Sequence, residues 1–304
     1  MKIVVAGGSG FLGSALVKRL SDDNHNVVLL TRRPETLTFQ AGGSVVVQRW
    51  DGKASGPWVQ QLEGADGVVN LVGESIGAKR WTSARRALIV GSRVEATKAI
   101  VSAIGELKKR PSVLINASAV GYYGNVETGD VTESHPRGND FLATLSEQWE
   151  SEAQKAETFG VRVVRLRFGV VLEKDGGALE KMMVPFKLFV GGHLGSGRQW
   201  FPWVHRDDVI GAILFTVQNP TLSGPVNVVA PEPVTMKEFC KALGKAMGRP
   251  SWVPVPAFVL HTLLGEMSEM LLTGQKVVAT KLEATGYRFH YARLDEALSA
   301  ILKN

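Results

Sequence analysis

Three glycines spaced Gly-x-x-Gly-x-x-Gly, at Gly7, Gly10 and Gly13, have the first clear chemical use in the chain. Without a Cβ, Gly7 and Gly10 let backbone N–H groups come close to a pyrophosphate, and Gly13 lets a helix lie tightly on a strand. The flanks supply both elements: residues 3–6 form an apolar strand, and Leu12, Leu16 and Leu20 recur every four residues on one helical face. A helix starting there offers unpaired N–H groups and a partial positive charge to an anion. The plain alternative is an ordinary strand-to-helix turn.

The second cluster follows the next apolar strand, 27–30, which ends in Thr31-Arg32-Arg33. A dinucleotide fold that takes NAD usually ends this strand in an acidic residue, which binds the adenine-ribose hydroxyls. Here arginines stand in its place, and a guanidinium there suits the 2′-phosphate of NADP. Past the third strand, 45–47, Asp51 either accepts from the adenine amino group, with Trp50 walling the ring, or opens the Asp-Gly turn in which it is written. Arg93 lies on the apolar face of a helix expected over 83–104, four residues from Ile89 and three from Ala96. A buried cation needs a partner, either a cofactor phosphate or a structural ion pair.

These groups need a scaffold, and strand and helix alternate through the first half. Further strands are expected at 67–73, 113–118 and 161–166, with a helix over 143–158. Such alternation argues an α/β fold, a doubly wound parallel Rossmann sheet. Leu71, Val72 and Gly73 would then border the cofactor at the carboxyl end of the fourth strand. Residues 1–171, with 205–230 returning to the sheet, read as the NADP-binding domain. Residues 172–204 and 231–304 read as a smaller, mostly helical substrate lobe. The helix after His205 is expected to be capped by Asp207 or Asp208.

Composition narrows the class. The 304 residues are 44% hydrophobic and 21% charged, and no long disordered tract stands out. The net charge of +6 is scattered rather than clustered, and no nucleic-acid-binding motif accompanies it. The single cysteine, Cys240, excludes a disulfide framework and a cysteine-based zinc site, and no metal is expected. No secretory signal and no apolar run of spanning length are present, so the expectation is a cytoplasmic protein with no membrane partner.

Several motifs carry a resemblance: GGSGFLG, NLVGESI followed by KRW, GSRVEATKAI, SAVGYYG, WE at 149–150, RLRFGVVL, GSGRQWFPWVHRDDV and GQKV. With them the chain resembles the extended and atypical short-chain dehydrogenase/reductases, and within these the "epimerase family protein" subgroup, also labelled nucleoside-diphosphate-sugar epimerase or cell-division inhibitor. The match runs along nearly the whole chain. The resemblance implies NADP contacts at Gly7, Ser9, Gly10, Phe11 and Leu12, at Thr31 and Arg32, at Leu71 and Val72, and at Arg93, with Val171 near the nicotinamide.

One departure bears on the reaction. The superfamily's usual Tyr-x-x-x-Lys pair is absent: none of the four tyrosines, at 122, 123, 287 and 291, has a Lys four positions on. Aligned on Trp149-Glu150, Thr144 and Gln148 fill the two positions. Ser118 falls near the usual serine or one residue early, with Ala119 in its place. Ser118 and Tyr123, or Tyr122 beside it, are the remaining catalytic candidates, with His205 and Arg198 bordering the expected crevice. The reading is an NADP(H)-binding oxidoreductase or epimerase-like protein acting on a small polar or nucleotide-linked substrate. Its rival is a non-catalytic, redox-sensing NADP module that acts through a protein partner.

Overall fold

Ile3, Val4, Val5 and Ala6 are all fully buried, as a parallel strand must be when helices cover both faces of its sheet. A computed structural model of the chain describes residues 1–36, 44–53 and 55–303. In chain order the first half comprises β1 (Lys2–Ala6), α1 (Phe11–Asp22), β2 (Asn26–Thr31), β3 (Val45–Arg49), α2 (Val59–Leu62), β4 (Gly67–Asn70), α3 (Ser83–Glu106), β5 (Val113–Ala119), β6 (Val126–Val131), α4 (Phe141–Gln154) and β7 (Arg162–Phe168). There follow β8 (Val170–Leu172), α5 (Gly177–Lys187), β9 (Trp200–Phe201), β10 (Trp203–His205), α6 (Arg206–Gln218) and β11 (Gly224–Val228). The chain ends with β12 (Val234–Thr235), α7 (Met236–Met247), α8 (Ala257–Leu264), α9 (Glu269–Leu272), β13 (Gln275–Val277), α10 (Thr280–Ala284) and α11 (Leu294–Lys303).

Among the described residues, seven strands form one parallel sheet in the order β11-β7-β5-β4-β1-β2-β3. The connection from β1 runs to β2 and that from β4 to β5, on opposite sides of the β1–β4 pair. That reversal opens a crevice at the carboxyl ends of the strands, the usual ligand position in a doubly wound sheet. One face of the sheet packs around Leu16, Val17 and Ile213, the other around Ala99, Ile100 and Ile104. The Rossmann fold read from the alternation is the fold observed.

A second core gathers Leu179, Met183, Phe186, Phe239, Leu243 and Leu298 from α5, α7 and α11. The boundary of this lobe differs from the one read in the sequence. Strand β13 pairs with β6, and Leu282 and Tyr287 join the core of the sheet, so the chain around 275–289 packs on the Rossmann side. Strand β6 escaped the sequence reading because Val126–Val131 is polar and mostly exposed.

The cap of α6 also differs. His205, rather than Asp207 or Asp208, caps the helix, its Nδ1 accepting from Asp207 N at 3.0 Å. The Asp208 carboxylate is buried and accepts from the backbone N–H groups of His290 and Tyr291. It therefore ties the C-terminal segment to α6.

Candidate cofactor site

Gly7 holds φ +78°, and a Cβ there would lie 2.9 Å from the Leu71 carbonyl carbon and 3.1 Å from Val72 N. The chain leaving β4 thus crosses directly over the glycine turn. A Cβ on Gly13 would run into the Gly7 carbonyl oxygen, and Gly10 N donates to that same oxygen at 3.0 Å. Helix α1 starts with Gly10 at its N-cap and has no capping side chain. Its first-turn N–H groups, at Phe11 and Leu12, are left for an anion. The Phe11 ring packs beneath Gly176, where a Cβ would come within 2.8 Å of it, so the entry to α5 closes over the turn.

At the end of β2, the Thr31 and Ser9 hydroxyls lie 3.2 Å apart. Arg32 and Arg33 follow, both exposed. Of the two roles read for Asp51, the turn is the one formed: its Oδ1 accepts from Lys53 N, and that hydrogen bond is the main influence holding its carboxyl below the usual range. Trp50 is not a wall for a ring, because it is buried, donates to Lys53 O and packs on Trp58.

Arg93 comes to the crevice from α3. Its Nη1 donates to the carbonyls of Glu74 at 3.0 Å and Ile89 at 3.1 Å, and its guanidinium lies over the Trp149 ring. Gly73 leaves the room it occupies, since a Cβ there would be 2.9 Å from Arg93 Cζ. Among the described residues no carboxylate pairs with it; the Glu74 side chain pairs instead with Arg85. Burial pushes the Arg93 guanidinium down to about 10. It is still a cation near neutrality, and one whose desolvation an anion would offset. The glycine turn, the uncapped helix and this cation fit the phosphates of a dinucleotide.

Beneath the crevice lies a buried polar layer. Asn70 donates to Thr97 Oγ1 and Asn116 Oδ1, while its own Oδ1 accepts from Val72 N and so orients the chain leaving β4. Ser118 Oγ donates to Glu150 at 2.6 Å, and Glu150 takes a two-pronged pair from Arg167 at 2.8 Å on each prong. Arg167 also donates to the Tyr123 hydroxyl, which donates to Asn227 Oδ1 at 2.7 Å. Burial works to lower the Arg167 guanidinium, but the hydrogen bonds and charge of Glu150 outweigh it and hold it above its ordinary value.

Ser118 and Tyr123 are accordingly 3% and 2% exposed, with their hydroxyls committed inside the protein. Burial pushes the Tyr123 phenol up to about 12. That is a structural position, and it corrects the sequence's choice between the two tyrosines. Tyr122 is half-buried under the Arg167 guanidinium, 3.5 Å from its ring centre, and among the described residues its hydroxyl has no hydrogen-bond partner.

Other candidates separate too. Thr144 donates to Asp140 O and accepts from Arg137, whereas Gln148 is exposed. His205 is buried as the α6 cap and stacks on Tyr291 at 3.9 Å. Arg198 is exposed. Val171 lies in β8, its carbonyl close to Gly177. Among the described residues no His, Cys, Asp or Glu cluster could hold a metal. The sequence reading passed over Glu150 and Arg167. Their signal was present, because Arg167 interrupts an apolar strand and Glu150 adjoins Trp149 on a buried helical face.

Comparison with known proteins gives the same outline. The model of a domain of unknown function, DUF1731, matches residues 255–301. The chain is 42% identical over 310 residues to an Arabidopsis thaliana protein named epimerase family protein SDR39U1 homolog, chloroplastic, covering 100% of this chain and 87% of that one. It is 40% identical to the epimerase family protein YfhF of Bacillus subtilis, over 99% of this chain and 98% of that one. The crystal structure of human epimerase family protein SDR39U1 with NADPH superposes with a TM-score of 0.88 at 34% identity, each chain covered in full. MoeE5 in complex with UDP-glucuronic acid and NAD, at 20% identity and a TM-score of 0.79 over 100% of this chain and 98% of that one, shares the fold. The family model described as "NAD dependent epimerase/dehydratase family" matches residues 3–229, and the chain belongs to that family.

Proposed function

We propose that the protein binds NADP(H) at the β1–β4 crevice and acts as an oxidoreductase or epimerase-like enzyme on a small polar or nucleotide-linked substrate. The observation that carries this reading is the desolvated Arg93, which among the described residues has no direct carboxylate partner, beside an uncapped glycine turn. The human relative solved with NADPH supports the choice of cofactor. A bound nicotinamide supplies hydride exchange. The protein holds the pyrophosphate on the N–H groups at the start of α1, with Ser9 and Gly13 shaping the turn. Arg93 reaches a phosphate, and Arg32, with Arg33 beside it, meets the 2′-phosphate. Leu71, Val72, Gly73 and Val171 border the bound dinucleotide through the backbone. Tyr122 takes the proton-donor role in place of Tyr123.

Fluorescence titration of NADPH and NADH against the wild type and Arg32→Ala tests the cofactor assignment. Wild type should prefer NADPH by roughly tenfold or more, the equivalent of one charge-assisted hydrogen bond, and Arg32→Ala should erase the preference. Equal affinity in the wild type would remove the 2′-phosphate argument.

A second reading rests on its own observation. Ser118 and Tyr123 are spent on the Glu150–Arg167 network, and Thr144 and Gln148 cannot do acid/base work. This supports a non-catalytic module that reports the cofactor's redox state to a protein partner. NADPH oxidation across a panel of carbonyl and sugar-nucleotide compounds, abolished by Tyr122→Phe, favours the enzyme. Tight binding without turnover, with a partner captured differently by NADP+ and NADPH, favours the module.

A further inference from the structure

Among the described residues, eight of the eleven exposed large hydrophobics fall in two runs, 184–190 and 252–263. The fold brings these runs together. Trp252 N and Val253 N both donate to Gly191 O, Val255 N donates to His193 O, and Gly195 N donates to Val255 O. Leu188, Phe189 and Trp252 are 67%, 53% and 71% exposed, and Phe258 and Leu263 on α8 are 70% and 62%. Phe189 is a non-glycine residue at φ +62°, a backbone conformation that a bulky side chain rarely adopts. An apolar group of this size, left in water, marks an interaction surface.

Two features say what covers it. The first is charge: no Asp or Glu occurs from 181 to 206 or from 239 to 265. Basic residues border the patch on its α5 and α7 side, while Glu266 and Glu269 follow α8. Lys187 is on the last turn of α5, and the Arg249 guanidinium sits 4.4 Å from the centre of the Phe189 ring. Lys245 is on the last turn of α7, whose Gly244 packs against Phe186 and Ser251.

The second feature is that the polar backbone of the patch is already paired. The Trp252 indole N–H donates to Phe189 O at 2.9 Å, and Phe189 N and Val190 N donate to Phe186 O and Pro185 O. An indole whose N–H is satisfied internally can enter an apolar medium without leaving a donor unpaired. Apolar tips bordered by flexible cations fit a fluid anionic surface.

We propose that this face docks the protein on an anionic lipid bilayer, with Phe189, Trp252 and Phe258 entering the interface and Lys187, Lys245 and Arg249 meeting the headgroups. No helix among the described residues is long and apolar enough to cross a membrane. Docking of this kind needs none.

The test is flotation of the full chain with vesicles of equimolar phosphatidylglycerol and phosphatidylcholine, and with vesicles of phosphatidylcholine alone. The anionic vesicles should carry at least roughly tenfold more protein, and that excess should collapse in high salt. The double variants Trp252→Ser/Phe258→Ser and Lys187→Glu/Arg249→Glu should each lose most of it while titrating NADPH as the wild type does. Equal recovery on both vesicles, or variants that float like the wild type, would overturn the proposal. So would a wild-type dimer that Trp252→Ser/Phe258→Ser converts to monomer, since the face would then join two copies of the chain. The charge-reversed pair changes only exposed side chains, so the test stands if the apolar variant folds poorly.

Discussion

The carboxyl ends of β1 and β5 face the same crevice, and they treat polar groups in opposite ways. After β1, donors are left over: α1 has no capping side chain, and among the described residues Arg93 pairs with two carbonyls and no carboxylate. After β5, the fully buried polar groups are consumed: Ser118, Glu150, Arg167, Tyr123 and Asn227 satisfy one another. A region with spare donors is prepared for a ligand. A region whose buried polar groups are mutually paired is prepared to keep its shape. The β1 side of the crevice is therefore built for binding, and the layer at the end of β5 is built for rigidity.

The largest effect should come from breaking the closed region. Arg167→Met takes the two-pronged partner from the buried Glu150 carboxylate and leaves it Ser118 and a longer contact to Arg165 at 3.8 Å; breaking a buried pair costs about 3–5 kcal/mol. Urea unfolding of the variant should show that loss, and Glu150→Leu/Arg167→Met together should lose clearly less. Equal losses for the single and double variants would mean that Glu150 finds another partner, and the contrast between the two regions would weaken.

The open region should respond in binding rather than in stability. Gly7→Ala puts a Cβ against Leu71 at a positive φ, closing the turn that carries the phosphate donors. NADPH affinity should fall by more than about a hundredfold, as expected when several charge-assisted hydrogen bonds go together. Arg93→Met should cost roughly tenfold or more in NADPH affinity. Without cofactor its stability should be unchanged or improved, because the variant removes a desolvated cation. A clear destabilisation of the cofactor-free protein would make Arg93 a structural residue and blur the comparison.

The open region was also the more legible one in the sequence. Gly7, Gly10 and Gly13 are readable because their function is a backbone one, written locally within seven residues. Arg93 was readable from helical spacing alone, since a cation at i+4 from Ile89 must point inward. The closed region joins residues up to 104 apart, as Tyr123 and Asn227 are, and no local pattern announces such a pairing. Tyr123 looked catalytic because a Tyr-Tyr pair after a strand gives no hint of which ring turns into the core. The exposed β6 and the return of β13 to it were hidden for the same reason: their pairing is set by tertiary contact and not by apolar periodicity.

The smallest predicted effect separates the two tyrosines. The Tyr123 phenol is pushed up to about 12 by burial, from about 10 in an unfolded chain. Its neutral form is favoured in the folded state, so this stabilisation is complete below pH 10 and is lost as pH rises through 12. Two pH units correspond to about 2–3 kcal/mol. Tyr287 is raised in the same direction, so the informative quantity is the difference between wild type and Tyr123→Phe. Wild type should lose stability more steeply than Tyr123→Phe between pH 10 and 12. Near pH 7 the variant should be destabilised by about 1 kcal/mol, the net worth of a typical hydrogen bond. Tyr122→Phe should leave the stability near pH 7 unchanged, because among the described residues its hydroxyl has no hydrogen-bond partner. If instead Tyr122→Phe is destabilised near pH 7 as much as Tyr123→Phe, the half-buried Tyr122 hydroxyl belongs to the closed network and is no longer free to act in the crevice.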